Sequence, residues 1–152
     1  MTQLFDRLVN FYESINWEVE KIPNETILSV TYGGENGQWV FVASTDEENG
    51  LIVMFARVPE SCPKEKFNVM SEFFDRANFG MTHGAWVMDR RDGEMRYRVG
   101  VDLETMDVGS PYIKELTLYT NLTMEKYLPA IQAILRDQVT AEEAFEQVFP
   151  NS

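Results

Sequence analysis

The chain has 152 residues, 44% of them hydrophobic and 25% charged, which suffices for one domain, spanning 1–152, that buries a core without disulfides or a structural metal. Its 25 acids outnumber 13 bases and leave a formal charge of −12, which opposes binding to nucleic acid or to an anionic membrane, since both depend on basic side chains. Cys62 is alone, so no intramolecular disulfide forms, and neither a signal peptide nor a membrane span is legible, the longest apolar run being Leu51 to Ala56 against the roughly 20 residues a span requires. A cytoplasmic location is the expectation.

Thr2 is placed to cap a first helix whose apolar residues Leu4, Leu8, Phe11 and Ile15 form one stripe. Trp17 to Ile22 reads as a short edge strand or an extended lead-in, and Pro23 ends it. Thr26 to Tyr32 and Gln38 to Ser44 are strands joined through the turn cluster at Gly33 to Gly37. Leu51 to Val58 is apolar at every second position in both phases, the pattern of a central strand covered on each side. Pro59 and Pro63 stop it, and Ser61 or Cys62 is placed to cap a second helix.

At about 100° per residue, Phe67, Val69, Met70, Phe73, Phe74 and Ala77 cover an arc of roughly 160° on that helix, wider than one sheet contact needs. Phe67, Met70 and Phe74 are assigned to the core. Val69 and Phe73 form a surplus that needs another helix of the same chain or a second subunit.

After Gly80, Asp92 and Gly93 predict a two-residue hairpin turn, because both central positions need positive φ. The register then pairs Arg91 with Glu94, Asp89 with Arg96 and Trp86 with Val99. Trp86, Met88, Met95, Tyr97, Val99, Val101 and Leu103 share one face, and Asp89, Arg96 and Arg98 the other. Arg76, Arg90, Arg91, Arg96 and Arg98 are five of the thirteen bases, so an arginine-rich face is expected on an acidic chain. It is either paired with nearby acids on a solvated surface or a partner-binding face, for which Arg76, Arg96 and Arg98 are the candidates.

A loop over Thr105 to Gly109 precedes a third helix started by Ser110 and Pro111, which Pro129 kinks or breaks near Asn121 to Thr123. Thr140 and Glu143 form a capping box for a short last helix. The order is α-βββ-α-ββ-α(α), an α+β fold with an antiparallel sheet.

No residue pattern nominates catalysis, a metal or another cofactor. His83 is the single histidine and Cys62 the single cysteine, so a zinc site lacks ligands and a Cys–His pair lacks an orienting third group. Gly33, Gly34 and Gly37 lack the Lys and Ser/Thr of a phosphate loop.

Two stretches carry a resemblance. Asn78 to Met81 leading to Gly84, then Trp86 to Asp89, the Asp92–Gly93 turn and Glu94 to Val99, with Tyr127 to Ile131 and Thr140 to Ala144 further on, resemble the YbjN domain family over about half the chain. The resemblance implies a fold similar to type III secretion chaperones and a sensory-transduction or regulatory role without an established catalytic site. It also implies a homodimer with Val69 and Phe73 at the contact. The function expected is a non-catalytic protein-interaction module, a chaperone-like or regulatory adaptor that binds another protein. The alternative is a small-molecule sensor with its ligand between sheet and helices, and an enzyme comes third.

Overall fold

A computed structural model describes residues 3–103, 109 and 111–150. The expected caps Thr2 and Ser110 and the loop at 105–108 lie outside the described residues. The elements are α1 (Gln3–Ser14), β1 (Glu20–Lys21), β2 (Ile27–Gly33), β3 (Gln38–Asp46), β4 (Leu51–Arg57), a 3-10 turn (Lys64–Lys66), α2 (Phe67–Phe79), β5 (Ala85–Met88), β6 (Met95–Asp102), α3 (Pro111–Leu135) and α4 (Ala141–Val148). The six strands form one antiparallel sheet in the order β1-β2-β3-β4-β6-β5. The α+β architecture with an antiparallel sheet is the one expected from sequence; the order gains one strand before α2, because the stretch that reads as an edge strand or lead-in pairs with β2 as β1.

Side chains alternate across a strand, so each sheet residue belongs to one of two faces. Leu28 and Val30, Phe41 and Ala43, Ile52, Met54 and Ala56, Trp86, and Tyr97, Val99 and Val101 all point inward and are buried. The helices lie on that side. Tyr12 of α1 meets Phe41 edge to face at 5.8 Å, and Phe74 of α2 stacks on Trp86 at 5.2 Å. Thr117 of α3 accepts or donates a hydrogen bond to the Tyr12 hydroxyl at 3.0 Å, and α4 packs on α2 and α3. The space between sheet and helices is filled by Tyr12, Phe41, Met54, Met70, Phe73, Trp86 and Tyr97, each 2% exposed or less.

Helix α1 buries Phe5, Leu8, Val9 and Tyr12, so its inward stripe keeps the expected Leu8 but is rotated from Leu4, Phe11 and Ile15, which flank it. Its first turn is held from a distance: the Glu47 carboxylate accepts from the backbone N–H of Leu4 at 3.0 Å and of Phe5 at 2.8 Å. A carboxylate there satisfies free helix donors and matches the positive end of the helix dipole. Helix α2 begins later than expected. Pro63 precedes the 3-10 turn, Lys66 occupies the N-cap without a side-chain bond, and neither Ser61 nor Cys62 caps the helix.

The surplus apolar arc of α2 is covered within the chain. Phe73 is 0% exposed, with its ring 6.1 Å from Tyr127 of α3, and α4 packs alongside. Its assignment to a dimer contact is therefore corrected: Phe73 is a core residue. The reason is the last two helices, which supply a second apolar surface that a sheet-only accounting leaves out. Val69 is half-buried.

Helix α3 is continuous for 25 residues with Pro129 inside it, so of the two expectations, a kink or a break, the break is absent. Pro129 has no N–H for the carbonyl four residues earlier, that of Glu125. The Asn36 side chain donates to that carbonyl at 2.9 Å instead. The Glu125 carboxylate in turn accepts from the backbone N–H of Glu35 and of Asn36, both at 2.6 Å, so the β2–β3 turn is docked onto the proline gap. The polar run that suggested a break is satisfied locally: Thr117, Thr120 and Thr123 hydroxyls donate to carbonyls one turn back, and Asn121 accepts from the Trp39 indole N–H at 2.9 Å. Thr140 and Glu143 form the expected capping box at the start of α4.

Candidate functional site

The β5–β6 connection differs from the expected two-residue turn. Met88 pairs with Met95, Val87 with Arg96 and Trp86 with Tyr97, two residues out of the predicted register. Asp89 N–H donates to the Glu94 carbonyl at 2.8 Å and Gly93 N–H to the Asp89 carbonyl at 2.7 Å, so Arg90 to Gly93 form a four-residue loop. Two aspartates select it. The Asp89 carboxylate accepts from Arg91 N–H at 2.9 Å, and the Asp92 carboxylate from Glu94 N–H at 3.0 Å. Asp89 also binds the Arg91 guanidinium at 2.8 Å, and these bonds hold its carboxyl at about 2, below the usual aspartate range. The expected Asp89–Arg96 pair is thereby replaced. A shift of two preserves face parity, so the residues assigned inward remain inward.

The outward side chains of the sheet form ordered cross-strand rungs. Thr31, Val40, Arg57, Arg96 and Val87 make one, and Ser29, Val42, Phe55, Arg98 and Ala85 the next. Ile27, Ser44, Val53 and Gly100 follow, then Asp46, Leu51 and Asp102. Among the described residues, no helix covers this face. The expectation that β4 is covered on both sides is therefore corrected: Ile52, Met54 and Ala56 are buried, whereas Leu51, Val53 and Phe55 are only half-buried, and Val40 is 38% exposed. Helices accumulate on one side because α1, α2 and α3 pack on the inner face of the sheet and α4 packs on α2 and α3.

The basic end of the open face is tightly organised. Glu94 pairs with Arg96 and lies 3.7 Å from Arg57, so two guanidinium groups share one carboxylate. The Arg96 guanidinium also lies 4.1 Å from the centre of the Phe55 ring, a cation–π contact. Arg98 is exposed and makes no ion pair among the described residues. Beside Val40 and Arg57 a depression of about 370 Å³ opens, lined also by Thr31, Gln38, Trp39, Val58 and Pro59. The arrangement offers apolar surface, a recess and excess positive charge on a chain of net charge −12.

Of the three arginines expected on a partner face, the structure brings Arg96 and Arg98 together and adds Arg57, which sequence reasoning missed. Its placement at the end of an apolar strand, paired with Arg96, was available only from the β4–β6 register. Arg76 lies apart, on α2 in the helical layer, where it pairs with Glu72 at 2.9 Å. Cys62 is buried against the β5–β6 loop, where burial pushes its thiol above the ordinary range, opposite to what a nucleophile needs. His83 is exposed, with its ring edge-on to Tyr119 at 5.8 Å. Among the described residues, no group of three or more His, Cys, Asp and Glu side chains is placed to hold a metal ion, and no helix is long and apolar enough to cross a membrane.

Two positions of the Asn78-to-Gly84 motif have structural duties. The Asn78 amide donates to the Trp86 carbonyl at 2.9 Å and accepts from the Trp86 N–H at 2.8 Å, extending the edge strand β5 with a side-chain rung. Gly84 has φ +67, and a Cβ there would lie 2.6 Å from the Arg98 carbonyl oxygen.

The fold is similar to chains in two solved complexes. One is the HopA1–SchA chaperone–effector complex, at a TM-score of 0.56 and 13% identity over 85% of this chain and 97% of that one. The other is the ExsC–ExsE complex, at a TM-score of 0.52 and 15% identity over 99% of this chain and 97% of that one. No family model matches the sequence, and no curated protein matches it.

Proposed function

We propose that this chain is a non-catalytic protein-binding module, of the chaperone-like or adaptor kind, that docks a partner polypeptide on the open face of its sheet. The observation that carries the reading is the uncovered run of Val40, Val42, Val53 and Phe55 at the centre of a sheet whose other face is fully packed. Contiguous apolar surface left to solvent marks an interaction site. The likeness to a chain of a chaperone–effector complex supports the same reading at the level of fold. Membership of the YbjN family belongs to this proposal and rests on the sequence resemblance. A homodimer belongs to it as well, with Val69 as the member of the expected pair that a second copy can still reach.

The test is affinity capture from native lysate with the wild-type chain and with Phe55→Ser. A stoichiometric polypeptide held by the wild type and lost with a folded Phe55→Ser is expected. Equal capture by both would refute the open face as the docking site. Light scattering of the wild type and Val69→Glu at micromolar concentration tests the dimer, and a monomeric wild type would refute it.

A further inference from the structure

We infer that the segment docking on the open sheet face is extended and presents both apolar side chains and carboxylates at the every-second positions that it turns to the sheet; this rests on the docking role proposed above. Three basic side chains, Arg57, Arg96 and Arg98, stand on two adjacent rungs with two carboxylates beside them, Glu94 shared by Arg57 and Arg96, and Asp89 held by Arg91. Arg98 has no ion-pair partner among the described residues. The apolar surface of Val40, Val42 and Phe55 runs beside them on the same rungs, ending in the depression of about 370 Å³ at Val40 and Arg57. A ligand matching this pattern needs an apolar side chain for the depression and carboxylates for the guanidinium groups, which bind such groups through paired N–H donors.

The spacing of the strands sets the scale. Five strands at about 4.8 Å apart span roughly 20 Å, the reach of about seven extended residues. A short acidic segment is compatible with the net charge of −12, because charges beyond about 8 Å are largely screened at physiological salt. A long polyanion such as RNA is not, since its charge continues past the arginine patch across an acidic surface. A second copy of the chain is also a poor fit. An isologous contact offers this same face, whose acids Asp46 and Asp102 lie two rungs beyond Arg98, but its one aromatic ring, Phe55, lies under Arg96, leaving nothing to fill the depression.

Fluorescence anisotropy with a labelled peptide of about eight residues, whose every-second, sheet-facing positions are Val, Asp, Val and Asp with Ser between them, tests the inference. The full chain is compared with Arg98→Glu, with Arg98→Gln in case the reversed charge disturbs folding, and with Arg76→Glu as a control on the helical layer. Binding that weakens at high salt, falls at least about tenfold in the Arg98 variants and is unchanged in Arg76→Glu is expected. Equal binding of a Lys–Val peptide, tighter binding of single-stranded RNA, or peptide competition with self-association of the chain would each overturn it. The outcomes separate from those of the docking proposal: capture that depends on Phe55 without preference for acidic peptide sinks this inference alone, whereas capture that ignores Phe55 sinks the docking site itself.

Discussion

Gly93→Val should lower stability by about 2–4 kcal/mol, and the structure supplies each part of that figure. Gly93 has φ +82, where an L-residue with a side chain loses roughly 1–2 kcal/mol and a β-branched one fares worst. It is also buried against Cys62, just ahead of the 3-10 turn: its carbonyl accepts from the Cys62 N–H at 2.9 Å, and a Cβ would overlap the Cys62 carbonyl oxygen and lie 3.0 Å from the Cys62 carbonyl carbon and nitrogen. Relief requires the loop to leave Cys62, at a cost of about 1 kcal/mol for that hydrogen bond. For a chain of this length, 1 kcal/mol moves the melting temperature by about 2–4 °C, so a fall of roughly 5–15 °C should appear in thermal unfolding followed by circular dichroism. Gly100→Ala is the control. Nothing lies within 4 Å of a Cβ there, and replacing a strand glycine should be neutral or stabilising by about 0.5–1 kcal/mol. Equal melting temperatures for wild type and Gly93→Val would refute both the positive-φ loop and its docking on Cys62.

Asn36→Ala should destabilise the chain by about 0.5–1 kcal/mol, and by less in a Pro129→Ala background, where the helix recovers its own donor for the Glu125 carbonyl; additive denaturation free energies would mean that Asn36 does not serve the proline gap. Cys62→Ser and His83→Ala, made separately, should leave partner capture unchanged, and loss of function in either with the fold retained would refute a non-catalytic role. Phe73→Glu should unfold the chain instead of producing a folded monomer, because it puts a carboxylate into the space between α2 and α3; a soluble, cooperatively melting variant in size-exclusion chromatography would return Phe73 to the surface.

Elements with a local physical cause were legible in the sequence. The capping box at Thr140 follows from side chains three residues apart and stands in the structure. The β5–β6 loop shows the margin. Asp92 and Gly93 mark a turn correctly, but Asp89 and Asp92 bond to backbone N–H groups two residues on, favouring four loop residues over two. Face assignments survived only because the shift was even. What failed depended on distant partners. Pro129 reads as a breaker until Asn36 answers its vacant carbonyl, and α1 is capped by Glu47 from a loop more than forty residues away.

The open face was hidden for a related reason. A strand that is apolar in both phases, as Leu51 to Arg57 nearly is, has the same pattern whether a second layer covers it or a partner does. Only the placement of all four helices on one side distinguishes the cases, and that placement is a property of the whole chain. Arg57 illustrates the consequence. Alone it is a charged residue ending a strand; beside Arg96 in the β4–β6 register, one rung from Arg98 and next to Val40 in the β3–β4 register, it becomes the corner of a basic and apolar surface. The same alternation that buries Ile52, Met54 and Ala56 necessarily turns Val53 and Phe55 outward. An apolar residue in that second phase contributes little to the fold of the isolated chain, so its contribution is to be sought in what the chain binds.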